Sequence, residues 1–127
     1  MIVVDASVLI AQLDRGDAQH ERAFGRLVEL ASHPFAASPI TIAEVLAGPA
    51  RHDRLDEARG KLRALELEEV PLGPDAAARL AVLRAGTRLK LPDCCVLLAA
   101  QDAAADQILT FDDRLGAAAA RMGLAEP

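Results

Sequence analysis

The sequence predicts an α/β protein built on a parallel sheet with helices covering both faces. Three observations predict it. Short runs almost free of charge, at 1–4, 34–38 and 107–111, alternate with longer stretches whose apolar residues recur at helical intervals. The composition is 52% hydrophobic and rich in Ala, enough to bury a core and to favour helix between the strands. Asp, Pro and Gly stand at the junctions, where helices start and stop. At 127 residues, the chain is expected to form one domain over 1–127.

Met1-Ile2-Val3-Val4 reads as a short buried strand, uncharged and largely β-branched. Asp5-Ala6-Ser7 then starts a helix carrying Val8, Leu9, Ile10 and Leu13, and Gly16 interrupts it. Asp17 is expected to cap a second helix to about Leu30, with Ala23, Phe24, Leu27 and Val28 apolar. Residues 34–38 make a weaker strand. Pro39 opens a helix holding Thr41, Ile42, Val45 and Leu46, which Gly48-Pro49 is expected to close. Over 53–66 the pattern is amphipathic, with Leu55, Ala58, Leu62 and Leu65 on one face and Gly60 weakening the helix. Val70-Pro71-Leu72 is expected as another short strand. Helices follow from Pro74-Asp75 to Ala85 and from Leu91-Pro92-Asp93 to about Ala105. Residues 107–111 read as a buried strand, and Asp112-Asp113 opens a last helix ending near Gly123.

Four acids occupy unusual places in this layout. Asp5 ends the first apolar run, and Asp112 follows Ile108-Leu109-Thr110-Phe111. Glu44 lies mid-helix between Ile42-Ala43 and Val45-Leu46, where no capping role exists. Asp93 follows Leu91-Pro92 and precedes an almost uncharged helix. Each of the three Asp residues can be read as a helix cap, and Glu44 as part of a solvated face. Those readings leave unexplained why an acid falls at each place one site needs. Ligands of parallel sheets bind beyond the carboxyl ends of the strands, where strand order reverses, and Asp5 and Asp112 lie at two such ends. Gathered together, four carboxylates form a hard oxygen-rich site of the type Mg²⁺ or Mn²⁺ prefers, which points to nuclease chemistry. Asp113, beside Asp112, leaves the fourth position open by one residue.

The rest of the composition narrows the options. With three Phe and no Trp or Tyr, recognition by stacking bases on aromatic platforms is not expected. A net charge of −5 excludes a basic nucleic-acid coat protein, while metal-binding carboxylates themselves add negative charge. Residues 51–90 hold nine of the 14 basic residues and seven of the 19 acids, so that segment is net +2. Within it Arg79, Arg84, Arg88 and Lys90 form an acid-free stretch, and Arg84 and Arg88 share a helical face as candidate RNA contacts. His52, between Arg51 and Arg54, is a further candidate phosphate contact. The only cysteines, Cys94 and Cys95, are adjacent, which suits buried packing in a reducing cytoplasm better than a disulfide or zinc site. Neither a signal peptide nor a membrane helix is expected.

Taken together, Ile2-Val3-Val4-Asp5-Ala6-Ser7-Val8-Leu9-Ile10, Ile42-Ala43-Glu44-Val45, Leu91-Pro92-Asp93 and Leu109-Thr110-Phe111-Asp112 resemble the PIN-domain ribonucleases. They are most similar to the VapC-type toxins of bacterial toxin–antitoxin pairs, over essentially the whole chain. The resemblance implies a three-layer α/β/α sandwich with a short parallel sheet. It implies Mg²⁺- or Mn²⁺-dependent endoribonuclease activity on structured RNA such as tRNA or rRNA, a homodimer, and a small cognate antitoxin. On it, Asp5, Glu44, Asp93 and Asp112 match the acidic quartet that binds metal and catalyses, and Ser7 and Thr110 match the supporting hydroxyls. Cys94-Cys95 depart from the small or aliphatic residues common after the third acid. Water rather than the ribose 2′-OH is the expected nucleophile, leaving 5′-phosphate and 3′-hydroxyl ends.

Other classes fit less well. A haloacid-dehalogenase-like phosphatase needs a second acid two residues after the first, where this chain has Ser7. A receiver domain needs a Lys after a late strand, and Lys90 precedes a helix instead. A non-catalytic RNA- or protein-binding module on the same fold is the remaining alternative.

Overall fold

A computed structural model describes residues 1–127. Its elements in order are β1 (Ile2–Val4), α1 (Ala6–Leu13), α2 (His20–Glu29), β2 (Phe35–Ala37), α3 (Pro39–Arg51) and α4 (Leu55–Ala64). There follow β3 (Glu68–Glu69), α5 (Ala76–Thr87), α6 (Leu91–Asp102), β4 (Gln107–Leu109) and α7 (Asp113–Arg121). The strands form one parallel sheet in the order β3-β2-β1-β4, with Val3 opposite Ala36 on one side and Ile108 on the other.

The two-residue period of the strands sorts the core into two layers. Ile2, Val4, Phe35 and Leu109 face a cluster built from Val8 and Leu9 of α1, Ala23 and Leu27 of α2, Val45 of α3 and Leu62 of α4. Val3, Ala36 and Ile108 face the other way, onto Val96, Leu97 and Ala100 of α6 and Leu115 and Ala119 of α7. The architecture is the expected α/β/α sandwich. Each fully buried Leu or Val of these layers contributes about 1.5–3 kcal/mol relative to exposure. From Cys94 to Ala100 the α6 helix is buried on every side, because α5 and α3 flank it and β1 and β2 lie beneath.

Chain order explains where a ligand site opens. The chain steps from β1 to β2 and on to β3, then crosses back to place β4 on the other side of β1. Strand order therefore reverses between β1 and β4, and a crevice forms beyond their carboxyl ends. Asp5 is held there by its N–H, which donates to the Leu109 carbonyl at 2.9 Å.

Several element boundaries differ from expectation. The third strand is Glu68–Glu69, not Val70-Pro71-Leu72: Val70 still donates to Ala37 at 2.9 Å, but Pro71 has no N–H and stops the ladder. Helix α3 continues through Gly48-Pro49 to Arg51, since proline removes one donor while its carbonyl still accepts, here from His52 at 3.1 Å and Arg54 at 2.8 Å. Helix α2 begins at His20 because the Asp17 carboxylate closes a local turn onto the Gln19 N–H at 2.7 Å. The C-terminal segment adds to the sheet edge without a hydropathy signal in the sequence. Ala125 forms a parallel bridge with Gln107, its carbonyl accepting from Ile108 at 3.1 Å, and so lies along the outer edge of β4.

Candidate active site

Asp5 occupies the N-cap position of α1, yet its side chain makes no capping bond. Only 6% of the residue is exposed, and Oδ2 accepts two hydroxyl hydrogen bonds, from Ser7 at 2.7 Å and Thr110 at 2.8 Å. Each hydroxyl is itself oriented by a backbone donor. Phe111 N–H donates to Ser7 Oγ at 3.0 Å, and Asp112 N–H donates to Thr110 Oγ1 at 3.0 Å. A hydroxyl has one proton, and both protons go to Asp5, so the 3.5 Å approach of Ser7 to Thr110 is a contact rather than a bond. The other Asp5 oxygen accepts nothing from the protein and is left for a ligand.

The other three acids arrive from three different elements. Glu44 projects from α3, exposed along most of its length. Loss of water around its carboxyl pushes its pKa up, and the charges of Asp5 and Asp93 push it further. Asp93, in the first turn of α6, is raised first by burial and then by Asp5 and Asp112, with Lys90 and Arg114 opposing. Asp112 is the N-cap of α7: Oδ1 accepts from Arg114 N–H at 2.9 Å and Leu115 N–H at 3.1 Å. One oxygen caps and the other remains free, so its capping role and a role in the cluster are compatible. Asp113 is exposed at the start of α7 and does not appear among the charges acting on Asp93.

The four carboxylates thus share one electrostatic neighbourhood of like charge. No three His, Cys, Asp or Glu groups stand close enough together to ligate one ion jointly. The donor set nonetheless fits a hard divalent cation: it is all oxygen, and Glu44 and Asp93, raised first by burial and then by neighbouring carboxylates, stand among like charges that a cation would neutralise. Lining up such acids without a counterion costs free energy, which a bound cation offsets.

Around the cluster lie two cavities. One, of about 430 Å³, runs between α1, α3 and α4 and has Glu44 in its wall. The other, of about 280 Å³, is bordered by Thr110, Asp112 and Arg22. The Arg22 guanidinium sits 4.1 Å above the ring of Phe111, a cation–π contact between residues far apart in the chain. Arg84 and Arg88 line neither cavity. Arg84 donates to the Leu89 carbonyl at 3.3 Å, and Arg88 takes the left-handed conformation (φ 61°) that ends α5. Cys94 and Cys95 are buried, and burial raises both thiol pKa values, so neither is an activated thiolate.

Comparisons with known proteins bear on this site. The family model of the PIN domain matches residues 2–121. Among solved structures, VapC20 of Mycobacterium tuberculosis, a sarcin-ricin loop cleaving toxin, superposes with a TM-score of 0.75 at 20% identity, covering 100% of this chain and 98% of that one. FitAcB from Neisseria gonorrhoeae superposes with a TM-score of 0.70 at 21% identity, over 94% of each chain. A toxin–antitoxin complex from Klebsiella pneumoniae gives a TM-score of 0.68 at 27% identity, over 88% of this chain and 87% of that one. A comparison with curated proteins finds no match.

Proposed function

Because this chain belongs to the PIN domain family, we propose that it is a Mg²⁺- or Mn²⁺-dependent endoribonuclease, the toxin of a toxin–antitoxin pair. Its substrate on this reading is structured RNA, tRNA or rRNA. The observation that carries the reading is the convergence of Asp5, Glu44, Asp93 and Asp112 beyond β1 and β4, where Asp5 and Asp93 act on Glu44, and Asp5 and Asp112 act on Asp93. Similarity to a sarcin-ricin loop cleaving toxin and to a toxin–antitoxin complex supports the RNA substrate and a small cognate antitoxin as partner. Homodimerisation belongs to the same reading.

Asp5 and Asp93 would hold the cation, with Glu44 and Asp112 completing its surroundings or orienting the attacking water. When bound, a divalent cation supplies charge that neutralises the acids, acidifies water and offsets the growing charge on phosphate. Ser7 and Thr110 hold the Asp5 carboxylate in one orientation, so that its second oxygen faces the crevice.

The test is cleavage of total cellular RNA by purified protein with Mg²⁺, Mn²⁺ or EDTA, beside Asp5→Asn. Discrete fragments with 5′-phosphate ends are expected, absent with EDTA and reduced more than about 100-fold in the variant. A wild-type protein that leaves the RNA intact and takes up no Mn²⁺ in calorimetry would sink the reading.

A further inference from the structure

We propose that the cavity between α3 and α4 beside Glu44 is a binding site for the sugar–phosphate backbone of RNA, gripped by Arg51 and Arg54. The proposal rests on the nuclease reading and adds where the strand runs on leaving the cleavage centre. Glu44, Gly48 and Arg51 follow at intervals of four and three and so share one face of α3. At Gly48, a Cβ would stand 3.9 Å from Arg51 Nη2. The guanidinium therefore folds back over Gly48, toward the turn that carries Glu44, and the missing side chain leaves the floor between them open.

Arg54 comes from the other wall. The chain turns sharply after α3, with Asp53 in the left-handed region (φ 55°) and Arg54 N–H bonded to the Pro49 carbonyl at 2.8 Å. This places Arg54 at the N-cap position of α4, whose first turn has no side-chain cap. Asp56 and Glu57 in that turn already complement the positive end of the helix, so Arg54 is the group on this wall that would meet a phosphate.

The pairing of charges in the wall leaves its two arginines free for phosphate. Lys61 in the wall is paired with Glu57 at 3.5 Å, and Asp14 Oδ1 already accepts from Gly16 N–H at 2.9 Å. Arg51 and Arg54 take part in no ion pair. The wall thus holds two uncommitted guanidiniums against two acids outside any ion pair, Asp14 and Glu44, and Glu44 is the one the cation would engage. Six charged side chains share the wall with four hydrophobic residues. Guanidinium forks match phosphate oxygens in pairs and position a strand without reading its bases.

The test uses Asp5→Asn protein, which leaves RNA uncut, and bulk transfer RNA in Mg²⁺, with Kd measured over a range of salt. Adding Arg51→Ala and Arg54→Ala is expected to weaken binding about tenfold and to flatten the slope of log K against log salt by about 1.4–1.8. Arg51→Lys with Arg54→Lys should recover most of that slope, which a purely structural role would not require. Equal Kd and slope with and without the arginines would overturn the proposal and leave the cavity to a protein partner, the nuclease reading standing if wild type still cleaves. A parent that binds no RNA, with wild type that cleaves none, removes the nuclease reading and this proposal with it.

Discussion

Thr110 Oγ1 accepts from the Asp112 N–H and donates its own hydrogen bond to Asp5, so one hydroxyl ties the α7 start to the buried carboxylate. Thr110→Val keeps the shape and removes both bonds. A loss of about 1–3 kcal/mol in urea unfolding is expected, because the Asp112 N–H loses its partner. Mn²⁺ affinity by calorimetry should fall about 10–100-fold, because Asp5 is no longer held. Asp112 and Asp113 separate by the same logic. Asp112→Ala removes the cap and is expected to cost about 0.5–2 kcal/mol together with most RNA cleavage. Asp113→Ala should leave both near wild type, and the reverse pattern would hand the fourth position to Asp113. The sequence made these acids visible because each interrupts an apolar run, where a carboxylate is costly. It could not reveal that Arg22 rests on Phe111, since a contact between a helix face and a distant loop leaves no periodic trace.

Helices were the most legible elements, because burial of one face repeats over several turns. Helix α6 was read from its uncharged run, and its boundaries moved little. Short strands were harder. Glu68 and Glu69 pair with Ala36 and Ala37 at the sheet edge, fully charged and exposed, so hydropathy pointed to the apolar Val70-Pro71-Leu72 instead. Charged residues on such an edge discourage pairing with another chain. The extension of α3 past Gly48-Pro49 is not legible in the sequence, because proline usually ends a helix. Its effect on the backbone is the loss of one donor, and the helix end carries Arg51 and the turn to α4 as a result. Gly60 is a weakness read in the sequence that persists in the structure. It is exposed in the middle of α4, with nothing within 4 Å of where a Cβ would stand. Gly60→Ala should raise stability by about 0.5–1 kcal/mol, seen as a higher Tm with cleavage unchanged.

The molecule as a whole carries −5, and part of that charge is concentrated where the sheet ends. Glu44 and Asp93 have raised folded-state pKa values, Glu44 through loss of water and then Asp5 and Asp93, Asp93 through burial and then Asp5 and Asp112. Protonation of either carboxyl therefore favours the folded state. Their contribution is fully present below the ordinary values of 4.5 and 3.8 and is lost as pH rises through the raised ones. In EDTA, Glu44→Gln with Asp93→Asn should melt higher than wild type at pH 7, and the gap should close as pH falls toward 4. Adding Mn²⁺ should raise the Tm of wild type and not that of the variant. A gap that widens on acidification would refute this sign.

Asp5 depends for its orientation on Ser7 and on Thr110, 105 residues downstream, and Asp112 follows later still. Until β4 has emerged and paired beside β1, no amount of local folding in the first hundred residues can assemble the centre. On the nuclease reading, a partly synthesised chain therefore carries no cleavage centre, and its four acids meet only once β4 is in place.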